Sequence, residues 1–147
     1  MGTYLCFEVM MPSDNYSNNE RVDLLSYETG GIWRFYELKV SKSDFHSKAK
    51  KTFLGQFNYF IMPEDLYRAV KDEIPKEIGA YAVSGNGRYM ECVKKPTKQP
   101  LRVNSERLML AFMQSLSREN RKYRKILRDI DKGKYPEEEE NSSTEWI

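Results

Sequence analysis

The sequence predicts an α/β fold: a central mixed β-sheet flanked by helices, followed by a long C-terminal helix. Three observations carry that expectation. The first forty residues are rich in β-branched and aromatic side chains and are broken by turns. The apolar spacing then switches between helical and strand periods, as it does where helices cross between parallel strands. Beyond Pro100, apolar residues recur every three or four positions as far as Ile130, with Glu119 filling one polar slot, the mark of one long helix.

The elements follow in order. Thr3 to Met10 reads as a strand stopped at Pro12, and the polar run from Ser13 to Asn19 as a loop. Arg21 to Glu28 and Ile32 to Val40 read as two strands joined through Thr29-Gly30-Gly31, a turn short enough for an antiparallel hairpin. Ser41 to Asp44 offers side-chain caps for a helix whose apolar positions are Phe45, Ala49, Thr52 and Phe53, ended by Gly55. Phe57 to Met62 is the next strand. A helix opens at Pro63-Glu64-Asp65, carries Leu66, Val70 and Ile74 on one stripe, and closes at Pro75. Gly79 to Val83 and Arg88 to Val93 are strands around Gly85-Asn86-Gly87, where Asn-Gly signals a tight hairpin. After a linker bracketed by Pro96 and Pro100, a helix capped by Asn104 or Ser105 carries Leu108, Phe112, Leu116, Tyr123, Ile126 and Ile130 and ends at Gly133. The domain organisation expected is a core over 1–96, a basic helix over 97–133, and an acidic, mobile tail over 134–147.

Composition narrows the function. At 147 residues, with 19 aromatics, the chain is sized for one core. Its single histidine, His46, excludes chemistry that needs two, and Cys6 and Cys92 are too few for a disulfide scaffold and read as core residues. No apolar run reaches membrane-spanning length and no signal peptide is legible, so a soluble, cytoplasmic protein is expected. The net charge of +2 hides a segregation. Residues 1–93 carry 11 Lys/Arg against 13 Asp/Glu, residues 94–134 carry 13 against 4, and residues 135–147 carry none against 5. A basic block of that density points to a polyanion partner.

The third strand carries the chemistry. In Ile32-Trp33-Arg34-Phe35-Tyr36-Glu37-Leu38-Lys39-Val40, apolar residues stand at both parities, as in a strand covered on both faces. Glu37 and Lys39 share a parity and point to one side. Burying such charges costs several kcal/mol each unless they are paired or meet a ligand, on the order of the known penalties. Across the hairpin, Asp23 lies between Val22 and Leu24 and comes beside Glu37. Two adjacent carboxylates call for a cation, and Mg²⁺ (or Mn²⁺), an oxygen-seeking ion often held by one or two carboxylates and water, suits them. Lys39 is then placed to neutralise charge on a phosphoryl group.

This arrangement resembles the PD-(D/E)XK nuclease superfamily. Asp23 and the following Glu37-Leu38-Lys39 match its motif, and the run from Tyr36 to Phe45 looks like the E-x-K-x-S-x-x-D-F signature of its MmcB-like, DNA-repair-associated subgroup. Asn58 to Leu66 and Ile78 to Tyr81 are similar to that subgroup's next segments, so the resemblance spans about residues 20–93. It implies a restriction-endonuclease-like core, metal held by Asp23, Glu37 and the Leu38 carbonyl, and a catalytic Lys39. The superfamily often takes a further acid from a first helix. Here strand and loop precede Asp23, and Glu8 is the acid available. Ser41 and Asp44 serve as helix caps or as auxiliaries of the site. His46 stands near enough to reach a phosphate, and Gln56 takes the place of a cleft glutamine found in some members.

The function expected is therefore a Mg²⁺-dependent DNA nuclease, or a nuclease-like DNA-processing protein, hydrolysing phosphodiester bonds. Lys94, Lys95, Lys98, Arg118, Arg121, Lys122, Lys125 and Arg128 would grip the phosphate backbone. Two alternatives stand beside it: a catalytically inactive DNA-binding protein on the same fold, and an interaction module whose C-terminal helix forms a homodimer or docks on a partner.

Overall fold

A computed structural model describes residues 2–12, 20–47 and 53–133. Its elements are β1 (Thr3–Met10), β2 (Arg21–Glu28), β3 (Ile32–Leu38), α1 (Lys42–Phe45), β4 (Phe57–Pro63), α2 (Glu64–Val70) running into a 3₁₀ turn (Lys71–Glu73), β5 (Gly79–Val83), β6 (Met90–Lys94) and α3 (Ser105–Asp131). The expected α/β class holds. The six strands form one open mixed sheet in chain order, with β3, β4 and β5 parallel to one another and the remaining pairs antiparallel. The chain divides into two compact units, Met1–Ser115 and Leu116–Ile147, so the division falls within α3.

Local chemistry explains the connections. Gly30 and Gly31 both have positive φ, 115° and 93°, which a side chain would oppose, and this lets β2 turn directly into β3. The parallel pairs need longer crossovers, and the segments holding α1 and α2 supply them. Trp33, Phe35 and Glu37 of β3 share a face with Phe60 and Met62 of β4 and with Ala80 and Ala82 of β5. Both apolar clusters lie there. One joins Leu25, Trp33 and Phe35 to Leu108 and Phe112 from the start of α3, with the Trp33 and Phe112 rings edge-on at 5.7 Å. The other joins Phe60, Met62 and Ala80 to Phe45 of α1 and to Leu66 and Val70 of α2.

The opposite face is not the second apolar layer that both-parity apolar residues in β3 suggest. It carries half-buried Arg34, Tyr36 and Leu38, with the rings of Tyr36, Tyr59 and Tyr81 gathered together. Tyr36 and Tyr59 stack at 5.0 Å with planes 11° apart. Tyr59 lies over Gly79, where an added Cβ would sit 2.7 Å from the Tyr59 ring and 2.9 Å from the Lys94 carbonyl oxygen.

Several expected elements differ. Helix α1 is four residues long, and Ala49 and Thr52 lie outside the described residues. Phe53 is not helical; it packs edge-on to Phe60 at 5.0 Å. Pro63 ends β4 and precedes α2 rather than opening it. The β5–β6 connection spans Ser84 to Tyr89, because the Ser84 N–H donates to the Tyr89 carbonyl and Asn86 accepts from Ser84 Oγ and the Arg88 N–H. Cys6 is buried as expected, but Cys92 is exposed on β6, an edge strand with a neighbour on one side only.

Candidate active site

The carboxyl end of β3 gathers most of the residues expected to carry chemistry. Along one face Phe35, Glu37 and Lys39 are 0%, 6% and 5% exposed, so the strand runs from a hydrocarbon core straight into two buried charges. The β3–β4 ladder continues through the Lys39 N–H, which donates to the Ile61 carbonyl at 2.9 Å. On the other side the β2–β3 ladder stops at Leu24↔Tyr36. The same register sets Asp23 across from Glu37. One step on, the Leu38 N–H donates to Asp23 Oδ2 at 2.8 Å, so a side-chain carboxylate replaces the backbone acceptor where the two strands part.

The turn after β3 is built by Ser41 and Asp44. Ser41 Oγ accepts from the Asp44 N–H at 3.1 Å, and Asp44 Oδ2 accepts from the Val40 N–H at 3.0 Å, a reciprocal cap on the first turn of α1. The other carboxylate oxygen of Asp44 is 3.5 Å from Lys39 Nζ. Asp44 thus does two jobs, of which only the cap is legible in the sequence: it closes the turn and orients the buried lysine.

Glu8 occupies the register position beside Asp23, since Phe7 pairs with Leu24 and Val9 with Val22. It is the sole non-glycine residue with positive φ among the described residues, at 53°, and its exposed carboxylate meets Arg21 at 3.6 Å. His46 is drawn to the 3₁₀ turn, with Nε2 2.9 Å from Glu73 Oε1. Gln56 lies at the other end of β3. Its Oε1 accepts from the Trp33 N–H at 2.7 Å and its Nε2 donates to the Gly31 carbonyl at 2.9 Å. Six residues of strand, about 20 Å, separate Trp33 from Lys39. The structure therefore brings Asp23, Glu37, Leu38, Lys39, Ser41 and Asp44 together and leaves Gln56 apart.

The carboxylates at this end are those of Asp23, Glu37 and Asp44, the last turned to the Val40 N–H and Lys39 Nζ. Among the described residues no group of three His, Cys, Asp or Glu is arranged to hold a metal ion. A pair of carboxylates fits an ion of the Mg²⁺ kind, which keeps several waters and takes one or two protein carboxylates.

The basic residues divide between the two units. Lys94 falls in the same row across the sheet as Glu37, through Phe60 and Ala80. Its ammonium donates to the carbonyls of Ile74 and Pro75, and burial there lowers its pKa against the opposing pull of Glu77. Lys95 and Lys98 are exposed. In the second unit, Lys122 and Arg118 approach Glu119 at 3.1 and 3.8 Å, Arg121 and Arg128 donate to the Ser117 and Arg124 carbonyls, and Lys125 is exposed. The tyrosine cluster on the far face went unnoticed in the sequence, although Tyr36, Tyr59 and Tyr81 each fall on one parity of neighbouring strands. Burial raises the pKa of Tyr36 and of Tyr59 above the ordinary phenol value.

No family model and no curated protein matches this chain. Among solved structures, one described as "SPO1766 protein of unknown function from Silicibacter pomeroyi" is similar to it, with a TM-score of 0.61 and 18% identity, over 98% of this chain and 86% of that one. At that identity the likeness is one of fold, and it spans nearly the whole of the present chain.

Proposed function

We propose that the protein is a divalent-metal-dependent phosphodiester hydrolase acting on DNA. One observation supports this above the others: Glu37 and Lys39, 6% and 5% exposed on one face of β3, stand beside Asp23 at the carboxyl end of a parallel strand pair. Buried charges of this kind rarely add stability, since desolvation offsets their attraction. A ligand accounts for their presence better than folding does. Asp23 and Glu37 would hold the ion, with the Leu38 carbonyl completing the protein's share. A bound Mg²⁺ or Mn²⁺ would supply a polarised phosphate and a more acidic water.

The rest falls to the chain's own groups. Asp44 holds the Lys39 ammonium, which stabilises negative charge growing on the phosphate oxygens. Asp23, through the Leu38 N–H, fixes the backbone between the acid and the lysine. Lys95, Lys98 and the basic residues of α3 contribute sequence-independent phosphate contacts in a cytoplasmic setting. The test is cleavage of linear, single-stranded and branched DNA with Mg²⁺ and with Mn²⁺, comparing the native protein with Lys39→Ala. Cleavage that the variant loses while still binding DNA supports the proposal. Salt-sensitive binding without cleavage on any substrate overturns it in favour of a non-catalytic DNA-binding protein.

A further inference from the structure

Helix α3 has two apolar faces, and only one is used by the core. Leu108, Ala111, Phe112 and Ser115 are buried. A second row begins at Met113 and runs through Leu116, Tyr123, Leu127 and Ile130, which are 57%, 39%, 62%, 44% and 46% exposed. Their spacing, with Asn120 included, is 3, 4, 3, 4, 3. That is a heptad seam with Met113, Asn120 and Leu127 at a and Leu116, Tyr123 and Ile130 at d. The helical stripe expected from sequence alone mixed these two faces, taking Leu108 and Phe112 from one and Leu116, Tyr123 and Ile130 from the other.

We propose that two copies of this chain pair through α3 as a parallel, in-register, two-stranded coiled coil along that seam. Three features select a second copy and this orientation. Asn120 at a is the sole polar residue of the seam. In a parallel pair it faces its own counterpart and the two amides satisfy each other, whereas an antiparallel pair sets it against an apolar d residue. Glu119 is at g and Arg124 at the next e, the positions that meet between chains in a parallel coil, so each interface gains two opposite-charge contacts. Arg118, Arg121, Lys122, Lys125 and Arg128 fall at b, c and f, away from the seam, so pairing leaves the basic surface open. Glu119 already meets Lys122 on its own helix, and the second copy's arginine adds another cation. The inference does not depend on the hydrolase proposal.

The experiment is sedimentation equilibrium of the full chain across the micromolar range, with helicity followed by circular dichroism. Wild type is expected to associate as monomer and dimer. Leu127→Asp, at an exposed position, should weaken association at least tenfold without loss of the fold. Glu119→Arg and Arg124→Glu should each weaken it alone, because each sets like charges against each other at both g–e contacts. Mixing the two variants should restore association, because one chain then brings two cations and the other two carboxylates to those contacts. A loss caused only by weakened single helices would not be rescued by mixing. A monomer throughout the range, or a dimer indifferent to Leu127→Asp, overturns the pairing. Failure of the mixture to associate overturns the parallel register.

Discussion

The same pair of strands, β3 and β4, is finished in opposite ways at its two ends. At the amino end of β3 the backbone is closed by neutral amides, beside an Arg34–Glu28 ion pair at 2.8 Å that stays half-exposed. Gln56 bonds the Trp33 N–H and the Gly31 carbonyl, and Asn58 bonds both the N–H and the carbonyl of Gly55 at 3.0 Å. Every one of these groups is an amide, and each buried donor finds an acceptor, which is how a fold closes a sheet end at low cost. At the carboxyl end stand two buried charges, Glu37 and Lys39, and a carboxylate, Asp23, in place of a ladder carbonyl. The amino end shows that this chain can close the backbone of the strand pair with amides and keep the charges there partly exposed. The carboxyl end is therefore where the charges are explained by the proposed function rather than by stability.

Single replacements can break that contrast. The largest effect expected is at the charged end: Lys39→Ala should lower DNA cleavage by about 10²–10³-fold, roughly 3–4 kcal/mol of transition-state stabilisation, measured by single-turnover kinetics. The joint replacement Glu37→Leu with Lys39→Met removes both buried charges and should leave the melting temperature unchanged or raised while cleavage disappears. A pronounced loss of stability in that double variant would mean that the charges serve the fold after all.

The amino end should behave the other way. In Gly55→Ala the new methyl would lie 2.7 Å from the Phe35 ring and 2.8 Å from the Trp33 carbonyl oxygen. It should cost about 1–3 kcal/mol in urea unfolding. Gln56→Ala strands the Trp33 N–H and the Gly31 carbonyl and should cost about 1–2 kcal/mol, with cleavage per folded molecule unchanged.

The smallest effect concerns the tyrosine face. Burial holds the Tyr36 phenol protonated above its ordinary range, while the neighbouring Ser26 and Arg34 pull the other way. Its folded pKa being raised, its contribution to stability is complete below the unfolded tyrosine value near 10 and is lost as pH rises through the folded value. Tyr36→Phe should shift the alkaline unfolding midpoint slightly upward, as followed by circular dichroism. A downward shift would mean that its hydroxyl is held by something stronger than the burial that opposes its ionisation.

Sequence alone determined a good deal of this protein. Alternating apolar residues and the two glycines with positive φ set the β2–β3 hairpin, because strand period and turn sterics are local. The length of chain between β3 and β4 allowed a parallel crossover, and the parity of Glu37 and Lys39 placed them on one side because side chains alternate along a regular strand. Tertiary structure decided the rest. Which face of the sheet receives the helices, and so whether Glu37 and Lys39 are buried, depends on where Phe45, Leu66 and Phe112 pack, the last two far away in sequence. That Asp44 turns back to Lys39, and that Gln56 is spent on Trp33 and Gly31, depends on where hydrogen-bond donors lie once the strands are paired. The split of α3 into a buried face and an exposed seam has the same origin: helical periodicity places an apolar residue within a turn, but only a neighbouring surface, or its absence, distinguishes a core position from one left exposed.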